Sequence, residues 1–198
     1  HLWGRYHLDY DRPDSVGKVR SFHGNAQVVM KSYAWTISLG AEGLRTVAET
    51  AVLNNSYLAK KISEIPGVST PYPGSGRRLE QVRYSWEPLR EKTGVGTADV
   101  RRRLVDYGMQ SYHESHYPVL IPEPFTLEPT ETFSKDDLDE YADVYRRISA
   151  EAHADPEFVK SAPHQSSIHR IDDSGLDDPE KWAMTWKAYL RKHQSTQA

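Results

Sequence analysis

Before any strand pattern begins, residues 26–65 carry apolar side chains at helical spacing. Ala26, Val29, Met30, Tyr33, Ala34 and Ile37 fall at i, i+3, i+4, i+7, i+8 and i+11, one face of a 3.6-residue period. Asn25 suits the N-cap, since its short side chain accepts a bond from a free first-turn N–H. Gly40 and Gly43 interrupt the pattern. A second stripe follows in Leu44, Val47, Ala48, Ala51, Leu58 and Ile62, and it should stop before Pro66-Gly67. Two long helices come first, so any sheet must be built from what remains, and it must be small.

The remainder reads as short alternating pieces. "LEQVRYSW" sets Val82, Tyr84 and Trp86 on one side, a half-buried strand. "TADVRRRLVDYG" predicts a helix with Thr97 as N-cap and Gly108 just past its end. "YPVLI" at 117–121 and "PFTLE" at 124–128 read as short strands whose prolines suit edges and strand starts. "SKDDLDEYADVYRRISAEAH" is the best-marked helix. Ser134 and Asp137 make a capping-box-like start, and Leu138, Tyr141, Ala142, Tyr145 and Ile148 form its buried stripe. "PEKWAMTWKAYLRKH" predicts a short amphipathic helix docking Trp182, Trp186 and Tyr189. The order implies an α+β fold, a small, mostly antiparallel sheet with helices on one face. Four regions follow: an extended segment 1–25, linker helices 26–65, a small α+β domain 66–165, and a polar tail 166–198 with a short helix.

Composition removes several functions. Charged residues make up 27% of the 198 positions, yet the formal net charge is only −3. Such balance supplies no clustered basic excess for nucleic acid. No apolar run approaches the roughly 20 residues that span a bilayer. With no cysteine, disulfides, thiolate nucleophiles and cysteine-bound zinc are excluded, which fits a cytoplasmic protein.

Candidate chemistry concentrates in "SYHESHYPVLIPEPFTLEPTETFS", residues 111–134. His113 and His116, with Glu114 as a third ligand, offer a metal reading. Pro118 and the lack of periodicity favour a loop lining a polar cleft, and no metal is expected. "EPTE" places Glu128 and Glu131 around a rigid Pro-Thr. It reads either as substrate and proton handling in a cleft or as the turn between a strand and the Ser134 helix. "FHGN", residues 22–25, stands at a helix N-terminus, where free amides and the positive dipole end favour an anion. The alternative is a plain helix cap. "TGVGTAD" lacks the Lys-Ser/Thr of a phosphate loop and reads as the opening turn of the Thr97 helix. "GSGRR" could cradle an anion but reads by default as an exposed loop.

An ordered set of stretches then resembles a known family. "YHLDYDRPDSVGKVRSFHGN", "SLGAEGLRTVAETAVLNNSYLAKKI", "RRLVDYGM", "PEPFTLEPTETFSKDDLDEY" and "DPEFVKSAPH" resemble glycine dehydrogenase (decarboxylating), the P-protein of the glycine cleavage system. The likeness is to the C-terminal part of its second subunit type and covers about residues 5 to 170. The resemblance implies the small C-terminal domain of a fold-type-I pyridoxal-phosphate enzyme. In that family a lysine following a histidine holds the cofactor as a Schiff base on a large domain. No lysine follows a histidine here, so the resemblance implies no catalytic residue on this chain, which should be inactive by itself. It implies pyridoxal phosphate shared with a lysine-bearing large domain or partner subunit, the chain being a fragment or a separate subunit. It also implies an amino acid substrate and a lipoylated H-protein that receives the aminomethyl group after CO2 leaves. By position, His23, Gly24 and Asn25 would approach the cofactor phosphate, while His113, His116, Tyr117, Thr130 and Glu131 would border the substrate and lipoyl channel. The stretch "SYHESHYP" departs from the family's more apolar pattern, which keeps open a relative acting on another amino acid. A non-catalytic scaffold is the remaining alternative.

Overall fold

A computed structural model describes residues 6, 9–17, 19–20, 24–72, 78–79, 81–110, 114, 120–171, 175 and 185–194. The chain divides into two units, His1–Thr46 and Val47–Ala198. Helix α1, Ala26–Ser63, begins in the first and ends in the second. Asn25 caps it as expected, its Oδ1 accepting from the Val28 amide at 3.2 Å. The break falls at Gly40, whose φ of 63° and ψ of −173° are not helical. A side chain would make that backbone costly, so the glycine permits the interruption. Gly43, by contrast, is helical. In the first unit the predicted apolar face is present but uncovered: Val29, Met30, Tyr33 and Ile37 are 60–70% exposed.

The second unit holds the core. Strands β1, Val82–Ser85, and β2, Pro124–Leu127, pair antiparallel with Tyr84 opposite Phe125 and Ser85 opposite Pro124. Pro124 has no N–H to give the ladder, as a strand's first residue can tolerate. Ser85 instead exchanges both of its backbone bonds with Ser69, at 2.9 Å each. Tyr84, Trp86, Phe125 and Tyr145 are fully buried and stack with ring centroids 5.0–6.0 Å apart. Tyr145 comes from α4, Lys135–Ala154, so that helix covers the Phe125 face of the pair. Leu138, Ala142 and Ile148 are buried along the same stripe, and Tyr141 is half-buried.

Between the strands lie α2, Glu87–Thr93, and α3, Thr97–Asp106. The first is an addition to the expected order. The second begins one residue earlier than expected, because Gly96 rather than Thr97 is the N-cap. The physical reason is tertiary. Glu123 Oε2 accepts the Thr97 amide at 2.6 Å, and Asp99 Oδ2 accepts that of Gly96 at 3.1 Å, so no Thr97 side-chain cap is needed. Gly108 follows α3 at φ 70°, as expected of a residue just past a helix end.

The short strand expected at 117–121 is not extended at its described end, where Leu120 and Ile121 lie outside any strand; residues 117–119 lie outside the described residues. The strand expected at 124–128 is β2. Helix α5, Pro156–Lys160, follows α4 directly, with Asp155 Oδ1 accepting the Phe158 amide at 3.2 Å. The tail helix is α6, Trp186–Gln194. Its aromatic side is not docked: Trp186 is 71% exposed and stacks on Tyr189 within the helix. Trp182 lies outside the described residues. No helix among the described residues is long and apolar enough to cross a membrane.

Candidate functional site

The "EPTE" stretch forms the turn between β2 and α4. β2 delivers the chain to Glu128, buried Pro129 fixes its direction, and residues 131–132 turn it into Ser134, the N-cap of α4. Ser134 Oγ accepts the Asp137 amide at 3.2 Å, and Asp137 Oδ2 accepts the Ser134 amide at 2.8 Å. That exchange holds the Asp137 carboxyl below its ordinary range, the Ser134 hydroxyl being the main cause. Thr130 is exposed and its hydroxyl lies 2.7 Å from that of Thr132; Glu131 is half-buried. The turn therefore presents hydroxyls and a carboxylate on a backbone fixed from behind.

Helix α1 does the fixing. Asn54 Nδ2 donates to the Thr130 carbonyl at 2.8 Å and to the Phe133 carbonyl at 3.0 Å. One and two turns further along α1, Tyr57 and Lys61 each reach Asp139 of α4 at 2.5 Å. Lys135 Nζ meets the other Asp139 oxygen at 2.5 Å. With Lys135, Lys61 and Tyr57 all donating to it, in that order of effect, the Asp139 carboxyl is held well below the usual carboxylate range. Its pull raises the Lys135 and Lys61 ammonium groups in turn.

The far end of α4 is tied down by a second polar cluster. Arg103, whose side chain is 8% exposed, donates to both Glu151 oxygens at 2.9 and 3.1 Å and to Asp106 Oδ2 at 2.8 Å. Tyr107 also donates to Glu151. The other Asp106 oxygen accepts the backbone amides of His164 and Gln165 at 2.7 Å each. Burial opposes ionisation of Asp106 and of Glu151 more than any other single influence. The Gln165 and His164 amides with Arg103 outweigh it at Asp106, and Arg103 with the Tyr107 hydroxyl outweighs it at Glu151, so both carboxyls stay below their ordinary range. A buried guanidinium with fork-shaped carboxylate bonds of this kind fixes geometry as well as charge.

Of the residues singled out in the sequence, Thr130 and Glu131 stand together on the turn. Gly24 and Asn25 stand at the head of α1, in the other unit, both exposed. His23, His113, His116 and Tyr117 lie outside the described residues. Glu114, the third ligand of the metal alternative, is paired with Arg101 at 2.9 Å. Among the described residues no group of three or more histidines and acids could hold a metal. Sequence reasoning missed Asn54, Glu123 and Arg103. Glu123 has φ 47°, rare for a side chain of its size, and its carboxylate pairs with Arg90 as well as capping α3. The available signal for Asn54 was an amide falling on the apolar stripe between Ala51 and Leu58.

Comparison with known proteins gives a consistent result. A family model described as "Glycine dehydrogenase, C-terminal domain" matches residues 47–167. The probable glycine dehydrogenase (decarboxylating) subunit 2 of Pyrococcus furiosus is 42% identical over 186 residues, covering 94% of this chain and 36% of that protein. The protein of the same description from Caldanaerobacter subterraneus subsp. tengcongensis is 41% identical over 173 residues, covering 86% and 34%. A crystal structure of glycine decarboxylase (P-protein) of the glycine cleavage system, in inhibitor-bound form, shares the fold with a TM-score of 0.52 at 22% identity. The likeness covers 65% of this chain and 27% of that one. The chain thus spans about a third of the length of the curated relatives it matches.

Proposed function

This chain belongs to the glycine dehydrogenase C-terminal domain family, and from that premise we propose that it completes the active site of a pyridoxal-phosphate-dependent glycine decarboxylase. The reaction releases CO2 from glycine and passes the aminomethyl group to a lipoylated carrier protein. The observation that carries the reading is 42% identity over 94% of the chain to a probable glycine dehydrogenase (decarboxylating) subunit 2.

The chemistry of the donor set bears on the cofactor. Helix α1 has no acid in its first turn. The first-turn amides of Ala26 and Gln27 have no acceptor within a helix, and they stand at its positive end. Among the described residues, a side chain at Gly24 would meet nothing within 4 Å. This set suits a phosphate, and His23, Gly24 and Asn25 would hold that end of the cofactor. Nothing matches the other end, because no lysine follows a histidine. The lysine therefore comes from a large domain or partner subunit.

When bound, pyridoxal phosphate supplies an electron sink for the bond from which CO2 departs. This chain's part is to position and exclude. The Thr130–Glu131 turn offers a hydroxyl and a carboxylate to the amino acid or to the arriving carrier arm. His113, His116 and Tyr117, which lie outside the described residues, would border the same channel by position in the sequence. Glycine-dependent exchange of labelled CO2 tests the reading: a lysine-bearing partner that is inactive alone is expected to gain exchange when this chain is added. No gain with the cognate partner would overturn it.

A further inference from the structure

The Thr130–Glu131 turn is held from behind by one side chain of α1, Asn54. Asn54 is 9% exposed and spends its single NH2 group on two carbonyls three residues apart, those of Thr130 and Phe133. The two N–H bonds of a planar amide diverge at a fixed angle, so both carbonyls must converge on one point. Residues 131–132 then have little choice but to loop outward. Thr130 Oγ1 joins Thr132 Oγ1 on the outer side at 2.7 Å, and Ser134 closes the turn into α4. A carboxylate in the same place would repel both carbonyls.

We propose that Asn54 is a positioning residue for substrate binding: it sets the register of the Thr130–Glu131 wall against a small amino acid without touching that substrate. The inference rests on the reading above, that this turn borders the substrate. It separates two roles that α1 otherwise combines. Tyr57 and Lys61 join α1 to α4 through Asp139, which holds the domain together. Asn54 acts on the turn alone, so its loss should appear in substrate affinity more than in turnover or folding.

The test compares Asn54→Ala and Asn54→Asp with Ser149→Ala in the complete enzyme. Ser149 is a matched control: it too is buried, and it too donates from α1's neighbour α4 to a distant carbonyl, that of Pro66, at 2.6 Å. It lies fifteen residues along α4 from Ser134, about 22 Å at 1.5 Å per residue. The Asn54 variants are expected to raise KM for glycine roughly tenfold, the scale of a lost buried hydrogen bond, with kcat within about twofold. Ser149→Ala is expected to lower the unfolding midpoint comparably and leave KM unchanged. An equal KM rise in Ser149→Ala, or a fall in kcat at constant KM in the Asn54 variants, overturns the inference. Backbone amide hydrogen exchange at residues 131–134 reads the positioning role without any activity. Faster exchange there in Asn54→Ala supports the role, and unchanged exchange overturns it. Absence of glycine turnover in the parent enzyme overturns instead the functional reading.

Discussion

Arg103→Met tests whether the charge cluster at the far end of α4 is a structural clamp. The substitution removes two hydrogen bonds to Glu151, one to Asp106 and a 3.3 Å contact with His164 Nδ1, and keeps much of the apolar stem. It also removes the guanidinium that lies 4.5 Å from the Phe158 ring centre and 5.0 Å from that of Tyr107. Breaking a buried ion pair from one side costs about 3–5 kcal/mol. Here the lower end applies, because Asp106 keeps two backbone amides and Glu151 keeps the Tyr107 hydroxyl. A loss of about 3 kcal/mol corresponds to a drop of roughly 6–12 °C in Tm for a chain of this size. Urea unfolding at pH 7 and at pH 5 measures it. The pH series carries the sharper result. In the parent both carboxyls are held low in the folded state, so their stabilisation is present above their unfolded pKa near 4. It is lost as pH falls through the folded values. Without Arg103, burial is opposed by less, the folded pKa of Glu151 rises, and the protonated form is favoured. The deficit of the variant should therefore narrow between pH 7 and pH 5. A loss under about 1 kcal/mol, or a deficit that does not change with pH, would refute the clamp.

Other outcomes follow from single contacts. Gly67 has φ 85°, and a Cβ there would sit 2.8 Å from Leu89 Cβ and 3.2 Å from its Cα. Gly67→Ala is expected to cost about 2–4 kcal/mol, strain and overpacking together, read as a shift in urea midpoint. Ser134→Ala removes the N-cap acceptor of α4 and should cost about 1 kcal/mol, visible in the same assay. Elemental analysis of the purified chain is expected to find no stoichiometric metal, since Glu114 is committed to Arg101; a molar equivalent of zinc would restore the His113–His116 metal reading.

Much of the second unit was legible because its signals are local. The Ser134 cap, the acidic first turn and the Leu138–Ile148 stripe define α4 without help from elsewhere, and alternation at Val82–Trp86 places β1. Helix α2 escaped because seven residues that include Pro88 and end at Gly94 show no period. Thr97 lost its capping role to Glu123, a residue 26 positions away that no spacing rule connects to it. Arg103 was hidden in "RRRLVDYG", which reads as a solvated charge run. Only the partner 48 residues on, Glu151, selects which arginine turns inward. The stripe from Ala26 to Ile37 predicted a helix correctly, but an apolar face needs a second surface, and that is not a local property. The turn reading of "EPTE" matches its geometry, whereas its binding role depends on groups that other parts of an enzyme must bring.

The proposed function requires this chain to supply one side of a cofactor pocket whose lysine lies elsewhere. Equilibrium dialysis with pyridoxal phosphate measures that directly, using the chain alone, the lysine-bearing partner alone and the two together. Stoichiometric retention is expected only when the partner is present, tightened by addition of this chain. Stoichiometric, tight retention by the chain alone would contradict it.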